Sequence, residues 1–324
     1  MLSQFTYQRA ASVQEAVEAA GRPRTRVLAG GTDLLGCLRD KVFAADRLVS
    51  LSGLAALKGI VPRSGGGLRI GALTTIAEIA EHRQIAASYR VLAQAAAAVA
   101  SPQLRNQGTL GGNLCQRPRC SYFRGDFPCR RKGGDTCFAA AGDNHLHCIF
   151  GGSSCFMVHP SDTAAALVAL DAKISIAGRR GSRVVPAASF FLLPAASLEK
   201  ENVLAPSEIV TEVLLEPAPL GVRSLYRKVR ERGAFDFALA GAAIVLSITG
   251  DMVSAARIVL SGVAPVPWRS AAAEKAIVGQ QLTVGAIAQA AQAATQNAEP
   301  LAENEYKVGL VKGILEESLT ALAA

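Results

Sequence analysis

Six of the seven cysteines in this chain, Cys115, Cys120, Cys129, Cys137, Cys148 and Cys155, fall between positions 115 and 155. The stretch that carries them is rich in Gly and Arg and shows no sustained apolar period, so neither an amphipathic helix nor a half-buried strand organises it. A disulfide framework suits a small secreted domain. This chain instead has 324 residues, an odd cysteine count and no basic-then-apolar leader in its first residues, Met1 to Thr6. Clustered thiols in such a chain read as metal ligands, whereas the isolated Cys37 reads as a small buried hydrophobe. The segment from about 115 to 158 is therefore expected to be an insertion held by a metal centre.

The rest of the sequence is periodic. In the N-terminal third a helix is expected over Val13 to Ala20 with Ser12 as its N-cap, between short strands at Arg26 to Ala29, Arg47 to Leu51 and Gly67 to Ala72. Helices are expected at Ile76 to Glu81, Tyr89 to Val99 and Asp162 to Ala172, then a strand near Lys173 to Ile176. The length suits about two domains. Alternating Pro217, Pro219 and Gly221 mark the boundary between units 1–216 and 217–324. Strands at 240–248 and 255–260 followed by helices at 283–296 and 305–322 give the second unit an α+β character.

Composition narrows the partners. The longest apolar run, Phe237 to Ile248, falls short of the roughly 20 residues a bilayer requires, so no membrane insertion is expected. Net charge is +8, but the basic residues are scattered and no aromatic-interleaved basic motif appears; nucleic acid is not an expected partner. An anionic cofactor and an acidic protein partner account for the charge equally well.

Two glycine pairs carry the first chemistry. Ala29-Gly30-Gly31-Thr32-Asp33 follows a strand, and Thr109-Leu110-Gly111-Gly112-Asn113 repeats the logic. Paired glycines let backbone N–H groups approach an anion that a side chain would block, with Thr32, Asp33, Thr109 and Asn113 as polar tips. Neither is G-x-G-x-x-G and neither has a P-loop lysine, so the Rossmann and Walker readings fail. Each alone is more often a simple turn; together they can clamp one diphosphate. Ser161 or Asp162, in His159-Pro160-Ser161-Asp162, can be merely an N-cap, and Tyr226-Arg227-Lys228-Val229-Arg230 can be a solvated basic strand.

In order and spacing, "AGGTDLL", "IGALTTIAEI", "LRNQGTLGGNL", "HPSDTAAALVALDA" and "YRKVRERGAFDFALAGAAI" resemble the FAD-binding subunits of the xanthine dehydrogenase and carbon monoxide dehydrogenase type, over essentially the whole chain. That resemblance implies an α+β protein. Its parts would be a two-part FAD-binding domain of the vanillyl-alcohol-oxidase (PCMH) type and a C-terminal domain of the carbon monoxide dehydrogenase flavoprotein type. It implies that Ala29, Gly30, Gly31, Thr32 and Asp33, with Thr109, Gly111, Gly112 and Asn113, hold the FAD diphosphate. Asp162 would lie near the ribityl chain and Lys228 near the isoalloxazine.

The cysteine-rich stretch, "RCSYFRGDFPCRRKGGDTC" with "CFMVHPSDTAAAL", resembles the [4Fe–4S]-bearing insertion in flavin subunits of bacterial periplasmic aldehyde oxidoreductase. A related insertion occurs in 4-hydroxybenzoyl-CoA reductase. A cubane cluster takes four thiolates, and the resemblance implies Cys120, Cys129, Cys137 and Cys155. Cys115 continues the flavin loop, and Cys148 sits where the relatives tend to have a small apolar residue. The spacings themselves match neither ferredoxins nor the short cysteine pairs usual for zinc, so they do not name the metal. Arg117, Arg119, Arg124, Arg130, Arg131 and Lys132 are expected to offset thiolate and phosphate charge.

The function implied is electron transfer. A molybdenum-cofactor partner would oxidise an aldehyde, a [2Fe–2S] partner would relay electrons to FAD, and an external acceptor would discharge it. The chain shows no Ser-His-Asp or paired-carboxylate arrangement, and no catalytic residue is assigned. A reductase-type subunit acting toward an aromatic acyl-CoA is the enzymatic alternative; a zinc-stabilised binding module is the alternative of another class. Cytoplasm and periplasm both remain open, since a chain without a signal can be exported folded beside a signal-bearing partner.

Overall fold

The computed structural model describes residues 2–219 and 221–323. Leu220, inside the expected boundary stretch, lies outside the described residues, as do Met1 and Ala324. Among the described residues, no helix is long and apolar enough to cross a membrane; the apolar run 237–248 is mostly strand.

Strands β1 (Thr6–Arg9), β2 (Thr25–Leu28) and β3 (Arg47–Ser50) form a parallel sheet in the order β1-β3-β2. Parallel neighbours need a crossover, and the helix Val13–Ala20 supplies the first. Ser12 caps that helix by accepting the Glu15 N–H, and its Ala16, Val17, Ala19 and Ala20 are buried. A second, antiparallel sheet runs β4 (Ile60–Pro62), β5 (Leu68–Gly71), β8 (Ile209–Leu215), β6 (Lys173–Gly178), β7 (Gly181–Pro186). Its central pairing, β5 with β8, joins segments far apart in sequence.

The helix Asp162–Ala169 is buried along its whole length, as an all-apolar AAALVA surface requires. It packs against the helix Arg90–Ala97 and against two strands of the third sheet. That sheet is antiparallel: β9 (Val222–Val229), β10 (Ala240–Thr249), β11 (Met252–Ser261), β12 (Trp268–Arg269). Gly250, with φ +59°, makes the tight turn between β10 and β11. The helices Ala271–Ile277, Val284–Thr295 and Tyr306–Ala323 cover one face of this sheet and build a second core with it.

Two elements differ from the sequence reading. Gly108 to Leu114 is not a plain loop: Leu110–Leu114 makes a short helical turn capped by Thr109, which accepts the Gly112 N–H. The insertion has a packing of its own, with Tyr122, Phe127 and Phe138 in mutual ring contact and Phe150 stacked on Trp268 at 5.3 Å. It is also bolted to the C-terminal helices. Asn304 Nδ2 donates to the His147 and Cys148 carbonyls, and Lys307, fully buried, donates to Leu146 O at 3.0 Å and Gly262 O at 2.9 Å.

Burial pushes the Lys307 ammonium down to about 8 from an ordinary 10.5. A cation whose folded pKa is depressed weakens the fold where it must stay charged, so stability rises as pH climbs from about 8 to about 10.5. Chemical unfolding of the native chain and of Lys307→Met should therefore show the native chain gaining relative to the variant over that window. The expected gain is about 3 kcal/mol at 1.36 kcal/mol per pKa unit.

Candidate functional site

β2 delivers Ala29 to Thr32 to a close crossing with the second glycine segment. A Cβ on Gly30 would sit 2.1 Å from the Gln107 carbonyl oxygen, and Gln107 Nε2 donates to Gly30 O at 3.0 Å. Gly31 has φ +77°, a conformation that costs glycine nothing and other residues strain. The second segment is pinned by the chain just after β5: Gly111 N donates to Ala72 O at 2.8 Å and Leu110 N to Thr74 O at 2.9 Å. The Thr75 side chain closes a capping box with Glu78, which fixes the helix Ile76–Glu81 behind this crossing.

The glycines of the second segment divide by role. A Cβ on Gly111 would press against Ala72 Cβ at 2.9 Å, so packing alone demands glycine there; the sequence reading had given it only to the cofactor. On Gly112 a Cβ would meet only the Thr109 hydroxyl at 3.1 Å.

A single cavity of about 630 Å³ opens at this crossing, within the size range of cofactor clefts. Ala29, Gly30, Gly31, Thr32, Asp33, Thr109, Gly111, Gly112, Asn113, Asp162 and Lys228 all line it. The wall also includes residues that the sequence did not reveal: Leu204 to Pro206 and Glu208 to Val210 at the start of β8, and Phe43. These come from distant segments with no motif, and the pairing of β8 with both β5 and β6 brings the first group in.

Asp162 and Lys228 form a buried ion pair at 2.7 Å. Lys228 Nζ also donates to Ala98 O at 3.1 Å, and the Tyr226 hydroxyl donates to Asp162 at 2.6 Å. Lys228 is thus no part of a solvated face, because β9 turns this side of the strand toward the interior. Ser161 is the N-cap, accepting from Ala164 N, and Asp162 is left to face the cavity. Burial pushes the Asp162 carboxyl up while Lys228 pulls it back. Asn113 Oδ1 accepts from Thr163 Oγ1 at 2.7 Å and from Ser161 Oγ, which ties the second glycine segment to the same helix.

Asp33 does not present its carboxylate to a ligand as a free hydrogen-bonding tip. It accepts from Arg124 Nη2 and from Arg117 N, both at 2.7 Å, and lies 3.1 Å from Arg119. The other basic residues of the insertion separate: Arg131 pairs with Glu201 at 2.6 Å and donates to Cys155 Sγ at 3.3 Å. Arg130 and Lys132 instead donate to the Asp135 and Gly125 carbonyls within the loop.

Cys120, Cys129, Cys137 and Cys155 line one small apolar cleft with Phe123, Phe138 and Met157. Cys115 packs against the main core, and Cys148 is buried outside the cleft lining. His147 Nε2 lies 3.2 Å from Cys120 Sγ. A hydrogen bond between Cys137 and Cys155 draws the Cys137 thiol down to about 6 and drives that of Cys155 up. Burial raises Cys120 to about 11, and Cys115 and Cys148 to about 12.

Residues 3–218 match the family described as the FAD binding domain in molybdopterin dehydrogenase, and residues 224–322 match the CO dehydrogenase flavoprotein C-terminal domain. The chain belongs to this family of FAD-binding subunits of molybdenum hydroxylases. It is 38% identical to the aldehyde oxidoreductase FAD-binding subunit of Escherichia coli, over 99% of this chain and 98% of that one. With the carbon monoxide dehydrogenase medium chain of Hydrogenophaga pseudoflava it shares 28% identity over 98% of this chain and 96% of the other. A solved carbon monoxide dehydrogenase from that organism superposes with a TM-score of 0.79 at 27% identity, covering 99% of this chain and 98% of its own. Quinoline 2-oxidoreductase from Pseudomonas putida gives 0.78 at 25% identity, covering 100% and 98%.

Lys228→Met should leave Asp162 as an uncompensated buried charge and cost about 3–5 kcal/mol in chemical unfolding. Adding Asp162→Asn should recover much of that loss. A double variant no more stable than Lys228→Met would mean that the buried charge is not the source of the cost.

Proposed function

We propose that this chain is the FAD-binding, electron-transfer subunit of a molybdenum-cofactor aldehyde oxidoreductase, built of units 1–216 and 217–324. In this reading it works with a molybdenum-cofactor subunit and a [2Fe–2S] subunit in a heterotrimer, and passes their electrons to an external acceptor. The observation that carries the reading is the convergence of both glycine segments, Asp162 and Lys228 on one cavity. The resemblance to the E. coli aldehyde oxidoreductase subunit over nearly its full length favours an aldehyde-oxidising assembly over the acyl-CoA reductase alternative. A family match along the chain also argues against a mere zinc-stabilised module.

The residues present fit FAD. Gly30 and Gly31 leave backbone N–H groups without a protein acceptor beside the cavity, and Gly112, whose N–H Thr109 accepts, leaves room by having no side chain, so a diphosphate can be approached closely. Lys228, held by Asp162, places a fixed positive charge in the wall, where it tunes the flavin electrostatically. Bound FAD supplies the conversion between one-electron and two-electron transfer; the chain's own part is to position it and limit its contact with water.

In the same reading Cys120, Cys129, Cys137 and Cys155 ligate a [4Fe–4S] cluster. Their shared apolar cleft supports the set, as do the Arg131 and His147 nitrogens beside two of the sulfurs. Hydrogen bonds to cluster sulfurs are among the determinants of potential. The thiols must be deprotonated to bind metal.

Gly112→Val is the cleaner test of the flavin reading, because its Cβ crowds only one hydroxyl of the protein itself. FAD content per chain should fall at least tenfold with the fold retained by circular dichroism; full occupancy would refute the assignment. For the metal, each cysteine is replaced by serine, and iron content and the reduced-cluster EPR signal are measured. Cys148→Ser should keep the cluster and Cys155→Ser should lose or degrade it. The reverse pattern would overturn the ligand set, and zinc in place of iron would remove the cluster.

A further inference from the structure

The insertion brings more positive charge to the cavity than the cavity's carboxylates neutralise. Arg26 comes from β2, while Arg119 and Arg124 flank Cys120, and all three line the wall. Asp33 is the carboxylate that Arg119 and Arg124 share. The neighbouring charges already have partners: Arg117 with Glu201, which it shares with Arg131 outside the cavity wall, Lys228 with Asp162, Arg39 with Asp40, Glu208 with Arg183 and Asp236 with Arg232. Arg26 has no carboxylate partner among the described residues, and its guanidinium lies over the Phe43 ring at 4.6 Å. The buried Nε atoms of Arg26 and Arg119 have no hydrogen-bond partner. Among these three guanidinium groups, Arg119 and Arg124 thus share one carboxylate and Arg26 has none, a surplus of two positive charges. Buried cations are normally paired.

We propose that Arg119 and Arg124, which share Asp33, and Arg26 in the same cavity wall form the diphosphate subsite of the flavin cavity. The cysteine-bearing insertion then holds the flavin as well as its metal. The inference rests on the FAD reading of this cavity. A diphosphate bridge carries two negative charges, which balances the surplus. The planar fork of arginine matches phosphate oxygens better than a lysine does. Asp33 directly follows Gly30 to Thr32, so the glycine backbone and the guanidinium groups serve the same place. Desolvation lowers the pKa of Arg26, the expected response of a cation buried ahead of its counter-ion.

The test titrates the deflavinated native chain, in its complex, with FAD, ADP and adenosine. Arg26→Gln and Arg119→Gln should each weaken FAD and ADP by about tenfold, the worth of one charge-assisted contact, and leave adenosine unchanged. Arg→Lys at either position should recover part of the loss, which a merely structural arginine would not predict. Raising salt should weaken ADP far more than adenosine in the native chain, a readout that survives if a variant fails to fold. Unchanged ADP affinity in both variants, equal losses for ADP and adenosine, or salt-insensitive ADP binding would each overturn the subsite. A native chain that binds no FAD would instead refute the reading beneath it.

Discussion

The site depends on one close approach: the Gly30 backbone resting on the Gln107 carbonyl, where no Cβ fits. That contact sets the spacing between two segments 77 positions apart in sequence. Each is anchored independently, the first by β2 and the second by main-chain hydrogen bonds to residues 72–76. This part of the cavity wall is therefore backbone on backbone. Such a wall is pre-organised, and binding to it loses little loop entropy.

Charge is the second constraint. The cavity interior holds Asp162 with Lys228, and its rim holds Asp33 with a set of arginines. These arrangements differ in kind. The first is closed, since every charged group in it has a partner, and it joins β9 to the helix Asp162–Ala169. The second is open, with guanidinium nitrogens left over. A closed pair fixes geometry, whereas an open one keeps capacity for an incoming anion. The motif residues alone do not distinguish them, because Asp33 and Asp162 look alike as acids next to glycine or a helix start.

Much of this was legible in the sequence where local rules operate. Ser12 capping Val13–Ala20, and the helices Val284–Thr295 and Tyr306–Ala323, follow from caps and period. The glycine segments and the four cleft cysteines were legible from motif order, which carries long-range information that spacing lacks. The β5–β8 pairing was not legible, since strand partners across the chain are chosen by packing. Nor was the wall contributed by residues 204–210. The division of labour between Gly111 and Gly112 was hidden as well, because glycine demanded by a neighbour's Cβ and glycine demanded by a ligand read identically. Lys307 was hidden for a related reason: a lysine in a helical pattern is usually solvated, and only two converging carbonyls justify burying this one.

The insertion is more than a loop added to a finished domain. Its aromatic cluster gives it a small core, Lys307 and Asn304 fasten it to the C-terminal helices, and Glu201 fastens Arg117 and Arg131 to the N-terminal domain. Asp33 then draws Arg124, the last residue of its first short helix, to the first glycine segment. The same few residues around Cys120 thus touch the cleft thiols on one side and the flavin cavity on the other. In the proposed reading, this strut of residues would hold a thiolate-bound cluster and the flavin at a fixed separation, which electron transfer between them requires. A flexible tether would let that separation vary, and a cysteine-rich loop without this packing would be such a tether.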